Sequence, residues 1–406
     1  MPKSSLRADT MPPSPIRKLM PYADAAKARG TKIFHLNIGQ PDVMAPTEFW
    51  DGVKAVHGRI VDYTHSQGTP GLRAAMREFY ASIGIELSDS ELLVTTAGSE
   101  AVLFAMMCTC NPGDEVIVPE PFYANYLGFS VPAGVKIVPI TTRLEDNYAL
   151  PSAEEFERRI TPNTKAILIC NPSNPTGTVY SDDQLMALRD LVLKHDLFLI
   201  ADEVYREFNY TGAPIRSVLQ LEGLENHAVM VDSVSKRYSL CGARVGFLAS
   251  RHAEVMSGAA RFAQARLSPP LLEQIGVEAA TKTPQAHFDA MREEYTRRRD
   301  VLVRELASVP GVVVPKIDGA FYAMVRLPID DCDKFCQWLL ESFELDGQTL
   351  MLAPASGFYA TPGLGKDEVR IAYVLECDKI VEAVRCLRVA LERYPGRVPT
   401  PAGAAN

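Results

Sequence analysis

The sequence predicts an α/β protein: a large domain with a mostly parallel seven-stranded sheet between helices, followed by a smaller α+β domain. Two observations predict it. Seven short apolar or β-rich runs lie between residues 91 and 249, and helix-like stretches separate several of them. After about residue 285 the pattern changes to one long charged helix, a few strands and two further helices. The expected boundaries are residues 1–45 for an N-terminal arm and part of the small domain, 46–290 for the large domain, and 291–406 for the small C-terminal domain.

The elements follow in order. Up to about Arg29 the chain reads as an extended arm and a first helix, with Pro12, Pro13 and Pro15 keeping its start from being helical. The seven strand-like runs are Glu91–Thr96, Glu115–Val118, Val135–Ile140, Ala166–Cys170, Leu197–Ala201, Ala228–Val231 and Val245–Ala249. Ser99–Thr109 and Ser181–His195 read as helices, and Pro151–Pro162 as a connecting helix with Ser152 at its N-cap. His287–Ala307 is a long helix whose charge run is a solvated face. Val312–Pro315, Ala320–Val325 and Arg370–Val374 read as strands, and Ile329–Ser342 and Asp378–Tyr394 as helices. Pro395–Asn406, rich in Pro, Gly and Ala, reads as a frayed tail.

Composition excludes several function classes. The 406 residues carry a net charge of −8, which disfavours nucleic-acid or anionic-membrane partners. No apolar run reaches the ~20 residues of a membrane span, and Met1–Pro15 has no hydrophobic signal region. Eight scattered cysteines without a CxxC pair suit reduced thiols and a cytoplasmic protein. Seven histidines without metal spacing give no zinc site.

Four polar motifs stand at the C-terminal ends of expected strands, the edge where open α/β sheets collect ligands. Ser233-Val234-Ser235-Lys236-Arg237 and the following Arg244 place an amine beside hydroxyls and a guanidinium; a lysine can form a Schiff base with a carbonyl cofactor, and its neighbours could hold a phosphate. The alternative is a solvated lysine. Thr95-Thr96-Ala97-Gly98-Ser99-Glu100 opens a helix with a glycine, which frees N–H groups for an anion, or is an ordinary cap at Ser99. Asn171-Pro172-Ser173-Asn174-Pro175-Thr176-Gly177 enforces a tight path that can aim an Asn side chain. Asp202-Glu203-Val204-Tyr205 puts a carboxylate at the mouth of a buried strand, where it needs a partner.

Together the four motifs resemble the class I/II aminotransferases, pyridoxal phosphate (PLP) enzymes of fold type I, and among them most the bacterial aspartate aminotransferases. The resemblance extends to Asn37-Ile38-Gly39-Gln40-Pro41-Asp42, the Tyr63–Arg73 segment, Gly319-Ala320-Phe321-Tyr322 and Arg370-Ile371-Ala372. It implies that Lys236 carries the cofactor as a Schiff base and shuttles the proton, and that Asp202 pairs with the pyridine N–H. Asn174 and Tyr205 then bond the ring's phenolic oxygen, and Tyr123 stacks on the ring. Gly98, Ser99, Ser233 and Arg244 hold the phosphate, with Glu100 and Ser235 among the cofactor positions. Arg370 grips the substrate α-carboxylate, backed by Gly39 and Asn174. Tyr63 crosses to the partner's phosphate, which implies a homodimer with shared sites.

The resemblance further implies an amino acid and a 2-oxo acid as substrates, aspartate with 2-oxoglutarate first. Aspartate-preferring members add a second cation for the side-chain carboxylate. Where one subgroup has a lysine for this purpose, this chain has Glu100; where another has an arginine before Asn-Pro-Pro, Arg261 and Arg266 precede Ser268-Pro269-Pro270. An arginine of the Arg261–Arg266 segment, Arg266 reaching across the dimer, is the expected second cation; the alternative is a helix arginine paired with a carboxylate of the protein. The competing readings are an aminotransferase for aromatic, aliphatic or alanine-type substrates, a β-eliminating lyase, and a PLP-binding regulator without turnover. A regulator would carry a fused DNA-binding domain, and a pseudoenzyme would have lost Lys236, Asp202 or Arg370.

Overall fold

The computed structural model describes residues 2–399. Its strands, in chain order, are β1 (Lys32–His35), β2 (Leu92–Thr95), β3 (Glu115–Glu120), β4 (Lys136–Thr141), β5 (Thr164–Cys170), β6 (Phe198–Asp202), β7 (Ala228–Ser233), β8 (Gly246–Ala249), β9 (Tyr322–Arg326), β10 (Gln348–Met351), β11 (Ala353–Pro354) and β12 (Glu368–Ala372). All seven expected strand runs join one sheet, ordered β2-β8-β7-β6-β5-β3-β4. The β3–β4, β3–β5, β5–β6 and β6–β7 pairs are parallel, and β8 runs antiparallel to both its neighbours. Strands β2, β3, β7 and β8 are buried along their whole length, as sheets covered by helices on both faces must be.

Two apolar clusters fill the faces of this sheet. One includes Ile167, Leu199 and Met230; the other includes Leu168, Ile200 and Val229, so alternate residues of β5, β6 and β7 point to opposite sides. The helix Ala97–Thr109 packs on β7 and β8 on the second side. Two smaller sheets lie beyond: β1 with β10, parallel, and β11-β12-β9, antiparallel. Among the described residues no helix is long and apolar enough to cross a membrane.

The structure departs from the sequence expectations in several elements. The arm is not wholly extended: Leu6–Thr10 forms one helical turn capped by Ser5 ahead of the prolines. Ser152 does cap a helix, through a capping box with Glu155, but that helix ends at Glu157. Val312–Pro315 is not a ladder strand. Val313 alone exchanges both backbone bonds with Arg326, because Pro315 has no N–H to extend the pairing. Strands β1, β10 and β11 were not expected; each has four residues or fewer, too short to show a period of two. The expected tail from residue 400 onward lies outside the described residues.

Candidate active site

The four motifs converge on one cavity of about 380 Å³ at the C-terminal ends of β5, β6 and β7, opposite the antiparallel β8. Lys236 sits in the single helical turn Val234–Arg237, directly after β7. Its Nζ donates to the Gly39 carbonyl at 2.8 Å and lies 3.7 Å from Cys241 Sγ. A side chain on Gly39 is impossible here, since its Cβ would stand 1.7 Å from the Tyr322 hydroxyl.

From Gly39 a circuit of polar contacts runs across the cavity. The Tyr322 hydroxyl lies 3.5 Å from the Gly39 carbonyl and 3.0 Å from the Tyr205 hydroxyl. Asn174 Nδ2 donates to Tyr205 at 3.3 Å, and Arg370 Nη1 donates to Asn174 Oδ1 at 3.0 Å. Asn174 is held by a loop in which both Asn–Pro peptides are cis and Gly177 adopts a φ of 76°. Burial raises the Tyr205 hydroxyl well above the usual phenol range, so it stays a donor at neutral pH.

Arg370 is fully buried in β12, and among the described residues its charge has no carboxylate partner. Nη2 donates to the Asn37 carbonyl at 2.6 Å, while Nε has no partner among the described residues. Its guanidinium instead lies 4.5 Å from the Tyr322 ring and 4.9 Å from the Phe358 ring. Desolvation lowers its pKa. A buried guanidinium without an anion is costly, and a planar carboxylate is the ligand whose geometry answers it.

Asp202 ends β6 at the cavity floor. Burial pushes its carboxyl up to about 6, opposed by hydrogen bonds from the Tyr126 hydroxyl at 2.8 Å and the Val204 N–H at 3.4 Å. No cation pairs with it among the described residues. A protonated ring nitrogen would supply one. Tyr126 was not foreseen as a functional residue; Tyr123 stands just ahead of the helix Asn125–Ala133 and Tyr126 in its first turn, and their rings meet edge-on at 5.4 Å.

The anion-binding corner is built from backbone. The helix Ala97–Thr109 begins three residues earlier than a Ser99 cap would allow, with Thr96 at its N-cap, so Gly98 and Ser99 fall in its first turn. Their N–H groups are among those a helix leaves free. Gly246 makes this possible, since a Cβ there would lie 2.4 Å from the Ala97 carbonyl carbon. Ser233 Oγ donates to Ser235 Oγ at 2.9 Å, and Arg244 reaches the cavity from a backbone φ of 54°. Ala97 and Ser239 also have positive φ, at 64° and 53°, a conformation that costs about 1–3 kcal/mol each.

A buried carboxylate, an amine, a stacking ring at Tyr123 and this donor corner fit the pyridine nitrogen, carbonyl, ring face and phosphate of PLP. Three expected residues stand elsewhere. Glu100 turns away from the cavity: it accepts from the Thr96 N–H at 2.7 Å and pairs with Arg266 at 3.2 Å. Arg266, expected to receive a substrate carboxylate, is thereby held within its own chain and also donates to the Val94 carbonyl at 3.2 Å. Tyr63 is 81% exposed and does not line this cavity. Arg73, in the same segment, is buried and paired with Asp89 at 2.9 Å.

Residues 31–384 match the family aminotransferase class I and II. The chain is 30% identical over 402 residues to the aspartate aminotransferase of Bacillus subtilis, covering 97% of this chain and 100% of that one. It is also 30% identical over 397 residues to a probable aspartate/prephenate aminotransferase of Aquifex aeolicus, covering 95% and 98%. The crystal structure of an aspartate aminotransferase from Thermotoga maritima superposes with a TM-score of 0.88 at 28% identity, over 96% of this chain and 100% of that one.

Proposed function

This chain belongs to the class I and II aminotransferase family, PLP-dependent transferases of amino groups, and we propose that it exchanges the amino group of aspartate with 2-oxoglutarate through the cavity around Lys236. The observation that carries the reading is Arg370, a buried guanidinium lining the cavity with no acid paired to it among the described residues. The names of the relatives support aspartate as the donor.

Arg370 binds the substrate α-carboxylate, and Asn174 orients it through Oδ1. When bound, PLP supplies an electrophilic carbonyl and a ring that withdraws electrons from the substrate's Cα. Asp202 holds the proton on the ring nitrogen, helped by Tyr126 and the Val204 N–H. Asn174 and Tyr205 donate toward the ring's phenolic oxygen. Lys236 Nζ would be the base that moves the proton between the substrate's Cα and the cofactor's carbonyl carbon; the Gly39 carbonyl, which accepts from Nζ, holds the amine in the cavity. Gly98, Ser99, Ser233, Ser235 and Arg244 hold the phosphate, and Tyr123 covers the ring.

The same reading includes a homodimer in the cytoplasm. Ile60, Val61 and Tyr63 are 76%, 65% and 81% exposed, an apolar strip that a second copy would cover. The eight free cysteines suit a reducing compartment. A panel of amino acids with 2-oxoglutarate, scored for 2-oxo-acid product, tests the activity; absence of turnover with every amino acid would refute it. Light scattering that finds an active monomer would refute the dimer.

A further inference from the structure

We propose that Arg17, on the N-terminal segment, is the residue that recognises the substrate's second carboxylate, an inference that rests on the dicarboxylic reading above. Four cationic side chains line the cavity: Arg17, Lys236, Arg244 and Arg370. The last three have duties toward the cofactor or the α-carboxylate. Arg17 has none. Among the described residues its guanidinium has no carboxylate partner, whereas Lys18 beside it holds Asp333 at 2.6 Å and Arg266 holds Glu100 at 3.2 Å. The cavity lining contains a single carboxylate, Asp202, which lies at the buried floor. An anion at the rim therefore meets Arg17 without competition from an acidic side chain.

The segment that carries Arg17 is fixed in place. Pro15 packs so closely on Gly357 that a Cβ there would lie 2.1 Å from the proline Cβ. Ile16 packs on the cluster that contains Phe358. The Arg17 N–H donates to Ser14 Oγ at 3.3 Å, and Asp333, which Lys18 holds, also accepts from Ser356 Oγ at 2.6 Å. Phe358 links the two regions: its ring lies 4.9 Å from the Arg370 guanidinium, and it belongs to the cluster on which Ile16 packs. Two arginines thus flank one cavity, one buried and one at the rim. That arrangement suits a substrate with two carboxylates, the α-carboxylate on Arg370 and the side-chain carboxylate on Arg17. Arg266 cannot serve without giving up Glu100, which would be left as a half-buried acid.

The test measures kcat/KM of Arg17→Ala, Arg17→Lys and Arg266→Ala for aspartate, glutamate, alanine and phenylalanine. Calorimetry of succinate against propionate on the holoenzyme adds a binding readout without turnover. Arg17→Ala should lower kcat/KM for the acidic substrates by about 10- to 100-fold, mainly through KM, and weaken succinate similarly. Alanine, phenylalanine and propionate should change less than about twofold, and Arg17→Lys should recover only part of the loss, because a point charge replaces a bidentate fork. A wild-type preference for acidic substrates that Arg17→Ala leaves intact overturns the role of Arg17 and leaves the dicarboxylic reading standing. An acid-selective loss in Arg266→Ala alone transfers the role to Arg266. A wild-type enzyme with no preference for acidic substrates overturns both.

Discussion

Arg370 donates to Asn174 across 3.0 Å, a contact between residues 196 positions apart. It ties β12 to the loop after β5, so the arginine proposed to bind the α-carboxylate and the asparagine proposed to face the cofactor ring share one hydrogen bond. Asn174 passes the connection to Tyr205, Tyr322 and the Gly39 carbonyl, where Lys236 ends it. Groups that must act on one small substrate are thereby held against each other before it arrives.

The cost of that preorganisation falls on Arg370. Replacing it with methionine keeps the length and removes a buried, unpaired charge. Activity should fall by about 2–5 kcal/mol in kcat/KM, since the α-carboxylate loses its charged partner. The thermal midpoint of the apoprotein should hold or rise, because an apolar isostere carries no desolvation penalty. A drop in midpoint together with unchanged kcat/KM would assign Arg370 a structural role.

Asp202 makes a similar trade that depends on pH. Its folded-state carboxyl is raised from 3.8 to about 6 by burial. The folded apoprotein therefore binds more protons than the unfolded chain between those values, and its stability falls as pH rises through that window. The loss approaches about 3 kcal/mol above pH 6. Asp202→Asn should raise apoprotein stability at pH 7–8, with the difference from wild type closing below about pH 4. The same variant should lose about 10²–10³ in transamination rate. Denaturant melts at pH 4 and pH 8 that differ equally for both proteins would contradict the linkage.

Gly246 tests the anion corner without touching a polar side chain. A Cβ there meets the Ala97 carbonyl carbon at 2.4 Å and the Gly98 nitrogen at 2.5 Å, so Gly246→Ala must move the first turn of the helix Ala97–Thr109. Affinity for PLP, titrated into the apoprotein by absorbance, should weaken by about tenfold or more, while pyridoxal without the phosphate should bind with little change. Equal weakening for both ligands would place the effect outside the phosphate corner.

The large sheet was legible because each of its strands is a buried apolar run, and Lys236, Asp202 and Asn174 were legible because each follows such a run in the chain. The small sheets were not. β1 and β10 have four residues each, and their pairing joins segments more than 300 positions apart. Tyr126 escaped, and Tyr322 and Asn37 stood in motifs of the resemblance without an assigned role, because their contacts with Asp202, Tyr205 and Arg370 are tertiary. Spacing also suggested that Arg266 was free to meet a substrate, but spacing carries no information about Glu100, whose acid lies 166 positions away and occupies it. Arg17 escaped for the opposite reason: its segment reads as a polar arm, and only the packing of Pro15 on Gly357 brings it over the cavity.

Lys236 is the amine proposed to hold the cofactor, and borohydride reduction of the holoenzyme checks it. Purified holoenzyme should be yellow, lose that colour on reduction, and yield one pyridoxyl-labelled peptide in which the label sits on Lys236. A label on any other lysine, or reduced protein that carries none, would contradict the account.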